Sequence, residues 1–272
     1  MPYHYLQNYA GLRLSRSEFD LSKSEKRFER HCHDTYELIY ILQGDGKYVI
    51  EGREYPLYPH TLLLMCPYEY HYVCPNNTQK YERIVINFSP SLLPPQLRSH
   101  HMLQAHHGSC FSLNEINNPV RLSYEALENI IPLSQGGFAS TPEAEAFLQA
   151  TVLQILLLLT LEAPSNATNN QAGIILSVIE YLNDHLKEEL SLDALSREFF
   201  VSKYHLCRMF HRQTGASIFT YFNTKRIALA QQMLAQGESA TSVAVHLGFR
   251  DYSTFYRAYR KQTGLSPVRK LN

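Results

Sequence analysis

The stretch His211-Arg212-Gln213-Thr214-Gly215-Ala216-Ser217 recurs 49 residues later as Arg260-Lys261-Gln262-Thr263-Gly264-Leu265-Ser266. At the same offset Leu206 matches Phe255, Arg208 matches Arg257 and Phe210 matches Tyr259. Two copies are too few for a solenoid, so the repeat marks a duplicated supersecondary unit that ends in a helix. Periodicity predicts helices over roughly 173–187, 191–199, 202–214, 218–235, 240–247 and 252–263.

Each copy reads as a short helix, a tight turn and a second helix with a basic polar face. In the first, Leu192, Leu195 and Phe199 form an inward stripe and Ser202 is an N-cap. Leu206, Met209 and Phe210 then face inward, leaving Lys203, Tyr204, Cys207, Arg208, His211 and Arg212 outward. In the second, Val243, Ala244 and Leu247 lead to the turn Gly248-Phe249, and Asp251 caps a helix that buries Phe255 and Tyr259. Its outward residues are Tyr252, Ser253, Tyr256, Arg257, Arg260 and Lys261. This is the helix-turn-helix plan, whose second helix enters the major groove. Arg208 and Arg257 suit bidentate contact with guanine, and the hydroxyls of Tyr204 and Ser253 suit base edges or phosphates. The helix 218–235 would span about 27 Å at 1.5 Å per residue. That is close to the ~34 Å between successive major-groove faces, so one chain would occupy two adjacent turns of DNA.

Taken together, residues 191–270 resemble the DNA-binding domain of the AraC/XylS family of bacterial transcription regulators. The resemblance rests on Ser202-Lys203-Tyr204-His205-Leu206-Cys207-Arg208-Met209-Phe210, Thr214-Gly215-Ala216-Ser217, Arg226, Ala244 with Gly248-Phe249, and Gly264-Leu265-Ser266-Pro267. It implies base-facing roles for Tyr204, Cys207 and Arg208 in the first recognition helix, and for Tyr252, Ser253, Tyr256 and Arg257 in the second. Lys203, Arg212 and Lys261 complete the candidate DNA-binding set. Double-stranded DNA is the implied partner, and RNA polymerase a further one. Ser196 departs from the family's usual alanine, and Lys270 from its usual aromatic.

Charge divides along the same line. The 272 residues carry no net charge, but residues 1–172 hold 12 basic and 17 acidic side chains, against 13 and 8 in residues 173–272. A basic C-terminal part fits a domain that meets a polyanion. The five cysteines include no CxxC pair, which argues against a disulfide framework or a structural zinc site and fits a reducing compartment. The first residues lack the pattern of a signal peptide, and the longest apolar run, Val152–Leu161, is short against the roughly 20 residues of a membrane helix. A cytoplasmic protein without membrane contact is expected.

Residues 36–88 read as short strands broken by turn residues: 36–43, 47–51, 54–57, 61–65, 71–73 and 83–88. Such a series predicts a sandwich or small barrel. From Pro119 the signal turns helical, with a short candidate at 124–131 and a long one opened by Thr141-Pro142-Glu143 and running to about Leu161. The long helix is apolar on most faces, which predicts burial by the barrel on one side and by a second chain, through residues such as Leu156, on the other. Ala163–Ala172 has a linker's composition. The expected layout is therefore an effector-binding and dimerisation domain over 1–162, a linker over 163–172, and a DNA-binding domain over 173–272.

His31-Cys32-His33-Asp34-Thr35-Tyr36-Glu37 followed by Gly44 resembles the first cupin motif, with His71 matching the histidine of the second. His60 and Tyr68 stand where that second motif has glycines, and Glu25 stands where a glycine precedes the first. The fold class expected is α+β: an N-terminal cupin-like β-barrel with helices and a C-terminal all-α double helix-turn-helix domain. His31, His33, Glu37 and His71 form a plausible ligand set for a divalent metal. The cupin scaffold of this family, however, usually holds a small organic effector without metal, so an effector site without cofactor or catalysis is the expectation. His33, Glu37, Gln43, His71 and Arg83 are the candidate effector-binding residues. Their mixture of acid, amide and imidazole, among many tyrosines, suits a sugar or other polyol. A metal-dependent cupin sensor or enzyme with an accessory DNA-binding domain is the competing class.

Overall fold

The computed structural model describes residues 3–9, 11–20, 30–76, 80–98, 103, 108–133, 141–162 and 174–267. The candidate linker, Glu25 and Lys270 lie outside them. Contacts divide the chain into a unit spanning Met1–Asn169 and a unit spanning Asn170–Asn272.

The strands of the first unit are β1 (Tyr3–Tyr9), β2 (Leu12–Asp20), β3 (Tyr36–Gln43), β4 (Gly46–Ile50), β5 (Arg53–Leu57), β6 (Thr61–Met65), β7 (His71–Pro75), β8 (Lys80–Phe88) and β9 (Ser109–Ser112). They build two antiparallel sheets, ordered β1-β2-β8-β3-β6-β9 and β5-β4-β7. Period-two alternation along the central strand β3 explains the layering. Ile39 and Ile41 enter a core shared with Leu63 and Val85 of the large sheet and with Tyr48, Ile50 and Val73 of the small one. Leu38 and Tyr40 point the other way, toward the helices α2 (Pro119–Leu133) and α3 (Pro142–Leu159) and the side chains of Tyr124, Val152, Ile155 and Leu156. A short turn of helix, α1 (Pro95–Arg98), lies between β8 and β9.

β1, β2 and β9 are additions to the strands read from the sequence. Helix α2 starts at Pro119 rather than near Tyr124, because the Asn118 side chain accepts hydrogen bonds from the Val120 and Arg121 amides (2.9 and 3.2 Å). Thr141 caps α3 as expected, accepting from Ala144 N–H. Among the described residues α3 is the helix long and apolar enough to cross a membrane. Leu148, Val152, Ile155, Leu156 and Leu159 are nevertheless buried inside its own unit. Leu156 is fully buried there, so it is not the surface residue expected for contact with a second chain; Leu157 and Leu161 are the exposed ones, at 55% and 83%.

The second unit is all helix: α4 (Ile174–Asp184), α5 (Leu192–Glu198), α6 (Lys203–Thr214), α7 (Ile218–Ala235), α8 (Ala240–His246) and α9 (Tyr252–Thr263). The repeated sequence is a helix terminator in both copies. Gly215 and Gly264 take left-handed conformations (φ 78° and 72°) that release the chain after α6 and α9. Beside them Thr214 donates to the Phe210 carbonyl and accepts from Ala216 N–H, while Thr263 does the same with Tyr259 and Leu265. Ser202 and Asp251 cap the two second helices.

The two turns inside the repeats differ. The second places Gly248 at φ 66°, where a Cβ would stand 2.4 Å from the Lys187 carbonyl oxygen. The first uses Phe200 at φ 52°, with its side chain 95% exposed. A non-glycine residue in this region costs of order 1–3 kcal/mol, and Phe200 offsets little of that by burial. Ser196, the departure from the usual alanine, donates to the Val201 carbonyl (2.7 Å) and so braces the same turn.

Candidate functional sites

The cavity of the first unit has a volume of about 500 Å³ and opens on the β2–β8–β3 side of the large sheet. β2 supplies Arg13, Ser15 and Ser17, β3 supplies Glu37, β8 supplies Arg83, Val85 and Asn87, and the segment before β3 supplies His31, His33 and Thr35. Of the five effector-site candidates, His33, Glu37 and Arg83 line it. His71 is wholly buried behind Glu37, its Nε2 3.1 Å from Oε2 of that carboxylate. Gln43 is excluded. A register shift between Ile41 and Gln43 breaks the alternation that would have turned it inward, and its side chain is exposed beside Glu82.

The cavity residues are held from behind. Glu37 Oε1 accepts from the Asn87 amide (3.1 Å). Glu69, itself buried, accepts from the Cys66 and Gly108 backbone amides (2.8 and 2.9 Å), and its own carbonyl oxygen accepts from His71 Nδ1 (2.8 Å). Burial alone would raise the Glu37 carboxyl, but the imidazoles of His33 and His71 hold it well below the usual carboxylate range. Burial opposes the charge on His33 too, and Glu37 more than offsets it, raising that imidazole. Arg83 stays protonated despite its burial because Tyr81, Tyr48 and Glu37 surround it. His60 and Tyr68 adopt left-handed conformations (φ 67° and 63°), so the turns usually built with glycine survive with other side chains. The Tyr68 amide donates to the His33 carbonyl (2.7 Å), which fixes the segment carrying His33.

Sequence reasoning missed the β2 contribution. Its signal was the alternation Arg13, Ser15, Ser17 against Leu12, Leu14, a polar face two residues apart along a strand that was not recognised.

In the second unit Tyr204, Arg208 and Arg212 of α6, and Ser253, Arg257 and Lys261 of α9, are all exposed, while Cys207 and Tyr256 are half-buried. Two candidates carry structural work as well. Lys203 donates to Asp193 Oδ1 (2.7 Å), tying α6 to α5. Tyr252 packs beside Phe255 at a ring separation of 6.1 Å and is half-buried against the core of the second repeat. The Arg257 Nε donates to the Ser253 carbonyl (3.3 Å), which lays its side chain along the helix.

Helix α7 is more than a spacer. Tyr221, Phe222, Thr224, Lys225, Arg226, Ile227, Ala230 and Met233 are buried, on every side of the helix. Its first half packs on α4 and α6, its second on α8 and α9. Arg226 is the joint: its guanidinium donates from Nε to the Leu186 carbonyl (2.8 Å) and bonds the Glu188 carbonyl. It also lies over the rings of Phe222 and Phe249, at 4.4 and 5.1 Å.

A ligand-binding sheet domain joined to paired helix-turn-helix units defines a DNA-binding transcription regulator controlled by a small-molecule effector. Comparison with known proteins agrees: residues 19–152 match a family model described as an AraC-like ligand binding domain, and residues 195–271 match a helix-turn-helix domain model. The chain belongs to the AraC/XylS family. The HTH-type transcriptional activator RhaS of Escherichia coli O157:H7 is 26% identical over 250 residues, covering 88% of this chain and 86% of that protein. RhaS of Enterobacter sp. (strain 638) is 24% identical over 249 residues, with the same coverage. Among solved structures, ToxT from Vibrio cholerae aligns over 95% of this chain and 97% of its own at 12% identity and a TM-score of 0.38.

Proposed function

We propose that residues 1–162 bind a sugar or similar polyol and dimerise, that residues 163–172 link the domains, and that residues 173–272 read DNA. Effector binding then acts by favouring one presentation of the paired DNA-binding domains, to the extent that its affinity differs between the arrangements. The observation that carries the effector reading is the cavity wall. Arginine, serine, histidine, threonine, glutamate and asparagine side chains converge there, with few apolar ones between them. By analogy with RhaS the chain acts as an activator, with RNA polymerase as its further partner, in the cytoplasm and without catalysis.

A thermal-shift panel of monosaccharides, sugar alcohols and a long-chain fatty acid tests this. A matching polyol at a hundredfold excess over its Kd is expected to raise the melting temperature of the first unit by about 5–10 °C. Stabilisation by the fatty acid alone would replace the polyol reading with an apolar one.

The dimer proposal rests on the exposed Leu157 and Leu161. The double variant Leu157→Glu, Leu161→Glu is expected to sediment as a monomer while keeping its helical content, because neither side chain belongs to the buried face of α3. A variant with the same mass in solution as the parent chain would remove this face from the interface.

A further inference from the structure

The cavity wall carries more positive than negative charge. Among the described residues, two guanidiniums, Arg13 and Arg83, line it together with one carboxylate, Glu37. That carboxylate is already engaged by two imidazoles, 3.3 Å from His33 Nε2 and 3.1 Å from His71 Nε2, and by the Asn87 amide. We propose that the effector is an anionic polyol, an aldonic or uronic acid, whose carboxylate is held by Arg83 and whose hydroxyls meet Ser15 and Ser17. This narrows the polyol reading of the cavity, on which it rests, from sugars at large to sugar acids.

Strand register sets the layout. Between β2 and β8, Arg13 stands opposite Asn87, Ser15 opposite Val85 and Ser17 opposite Arg83. Alternate residues of a strand share a face, and all three of these rungs line the cavity. At about 3.4 Å per residue the rungs lie about 7 Å apart, so Arg13 and Arg83 are separated by about 14 Å along the strands. A sugar acid laid along β2 puts its carboxylate at the Arg83 rung and its hydroxyls beside Ser17 and Ser15, each of which both donates and accepts.

The two arginines have different surroundings. Arg13 is exposed at its end of the cavity, where its charge draws an anion inward. Arg83 is set into the wall, with its guanidinium over the rings of Phe19 and Tyr81, 5.7 and 5.6 Å from their centroids. Burial keeps the nearby hydroxyls of Tyr48 and Tyr81 un-ionised, so they contribute dipoles and no charge. Glu37 also acts on Arg83, but it shares its charge with the His33 imidazole that it raises. An arginine held in this way offers a fixed planar fork, the geometry that matches a carboxylate in two parallel hydrogen bonds. Such charge-assisted bonds are about twice as strong as those a neutral sugar would make to the same fork. A fatty acid would satisfy Arg83 as well, but its chain has little to pack against: the apolar side chains among the described lining residues are Leu12 and Val85.

Ligand pairs that differ at one carbon and in charge provide the test: galactose and galacturonate, glucose and glucuronate, sorbitol and gluconate. Each is titrated into the full chain by calorimetry at matched ionic strength. At least one acid is expected to bind tenfold or more tightly than its neutral partner. Arg83→Met should remove that preference, weakening the acid at least tenfold and the neutral partner far less, a ratio that a merely structural role of Arg83 would not change. Arg83→Lys keeps the charge and loses the fork, so its loss should be smaller; should Arg83→Met fail to fold, the same ratio is read in Arg83→Lys. Arg13→Gln should cost the acid about two- to threefold and flatten the salt dependence of its binding. Neutral partners that bind as tightly as the acids overturn the sugar-acid assignment and leave the polyol reading standing. So does an acid preference undiminished by replacement of Arg83. Binding by no member of any pair overturns both.

Discussion

Arg226→Leu is expected to destabilise the C-terminal unit by about 3–5 kcal/mol. The side chain is buried in the middle of α7, yet it reaches the Leu186 and Glu188 carbonyls that follow α4. Leucine would leave both oxygens without their donor, and each buried acceptor stripped in this way costs about 1–3 kcal/mol. It would also remove the cation from between Phe222 and Phe249, the latter in the turn of the second repeat. Burial pulls the Arg226 pKa down to about 10, which still leaves it charged at neutral pH. For a domain of this size the loss amounts to a fall of about 15 °C or more in the unfolding transition of the second unit, read by calorimetry on the full chain. Arg226→Lys should fall between the two, since an ammonium keeps the charge but loses the fork that spans two carbonyls. A transition within a few degrees of the parent would mean that the two repeats stand independently of this joint.

The second large effect is on DNA. Arg208→Ala and Arg257→Ala are each expected to cost about 1–3 kcal/mol of specific binding, a factor of roughly 5–150, and to relax preference at particular base pairs. Both residues sit in the second turn of a capped helix, on the face left exposed after Leu206 and Phe210, or Phe255 and Tyr259, have filled the core. A guanidinium there is placed to bond guanine O6 and N7 together. Lys261→Ala, at the far end of α9, should instead weaken all sequences alike and flatten the salt dependence by about one phosphate contact. Affinities for the selected site and for single-base variants of it separate these outcomes. Equal losses across all sites for the two arginines would mark them as phosphate contacts.

The repeat was legible because it is written in local terms. Thr-Gly ends a helix through hydrogen bonds and a left-handed residue within a few positions, and Ser202 and Asp251 start one in the same way. The six strands from β3 to β8 were legible through alternation and turn residues, although β8 begins earlier than its apolar core suggests. β9 was not, being four residues long and dependent on β6 for its pairing. Gln43 was misplaced for a related reason. Parity carries a side chain along a strand only until a bulge, and the register of β3 against β8 shifts between Ile41 and Gln43.

By itself the sequence determined the kind of protein: a β-rich ligand domain, a duplicated pair of groove-reading helices, and the faces those helices turn outward. These follow from spacing, capping and charge, which act between near neighbours. Tertiary structure alone decided which side of α3 is covered, leaving Leu157 rather than Leu156 at the surface, and turned α7 from a spacer into the core of two repeats. The grouping of His31, His33 and Glu37 with His71 was already implied by the cupin motif; the structure set the distances, with Glu37 Oε2 3.3 and 3.1 Å from the imidazoles of His33 and His71. Periodicity states that a residue has a neighbour on its face; only the closing of distant strands and helices states which neighbour that is.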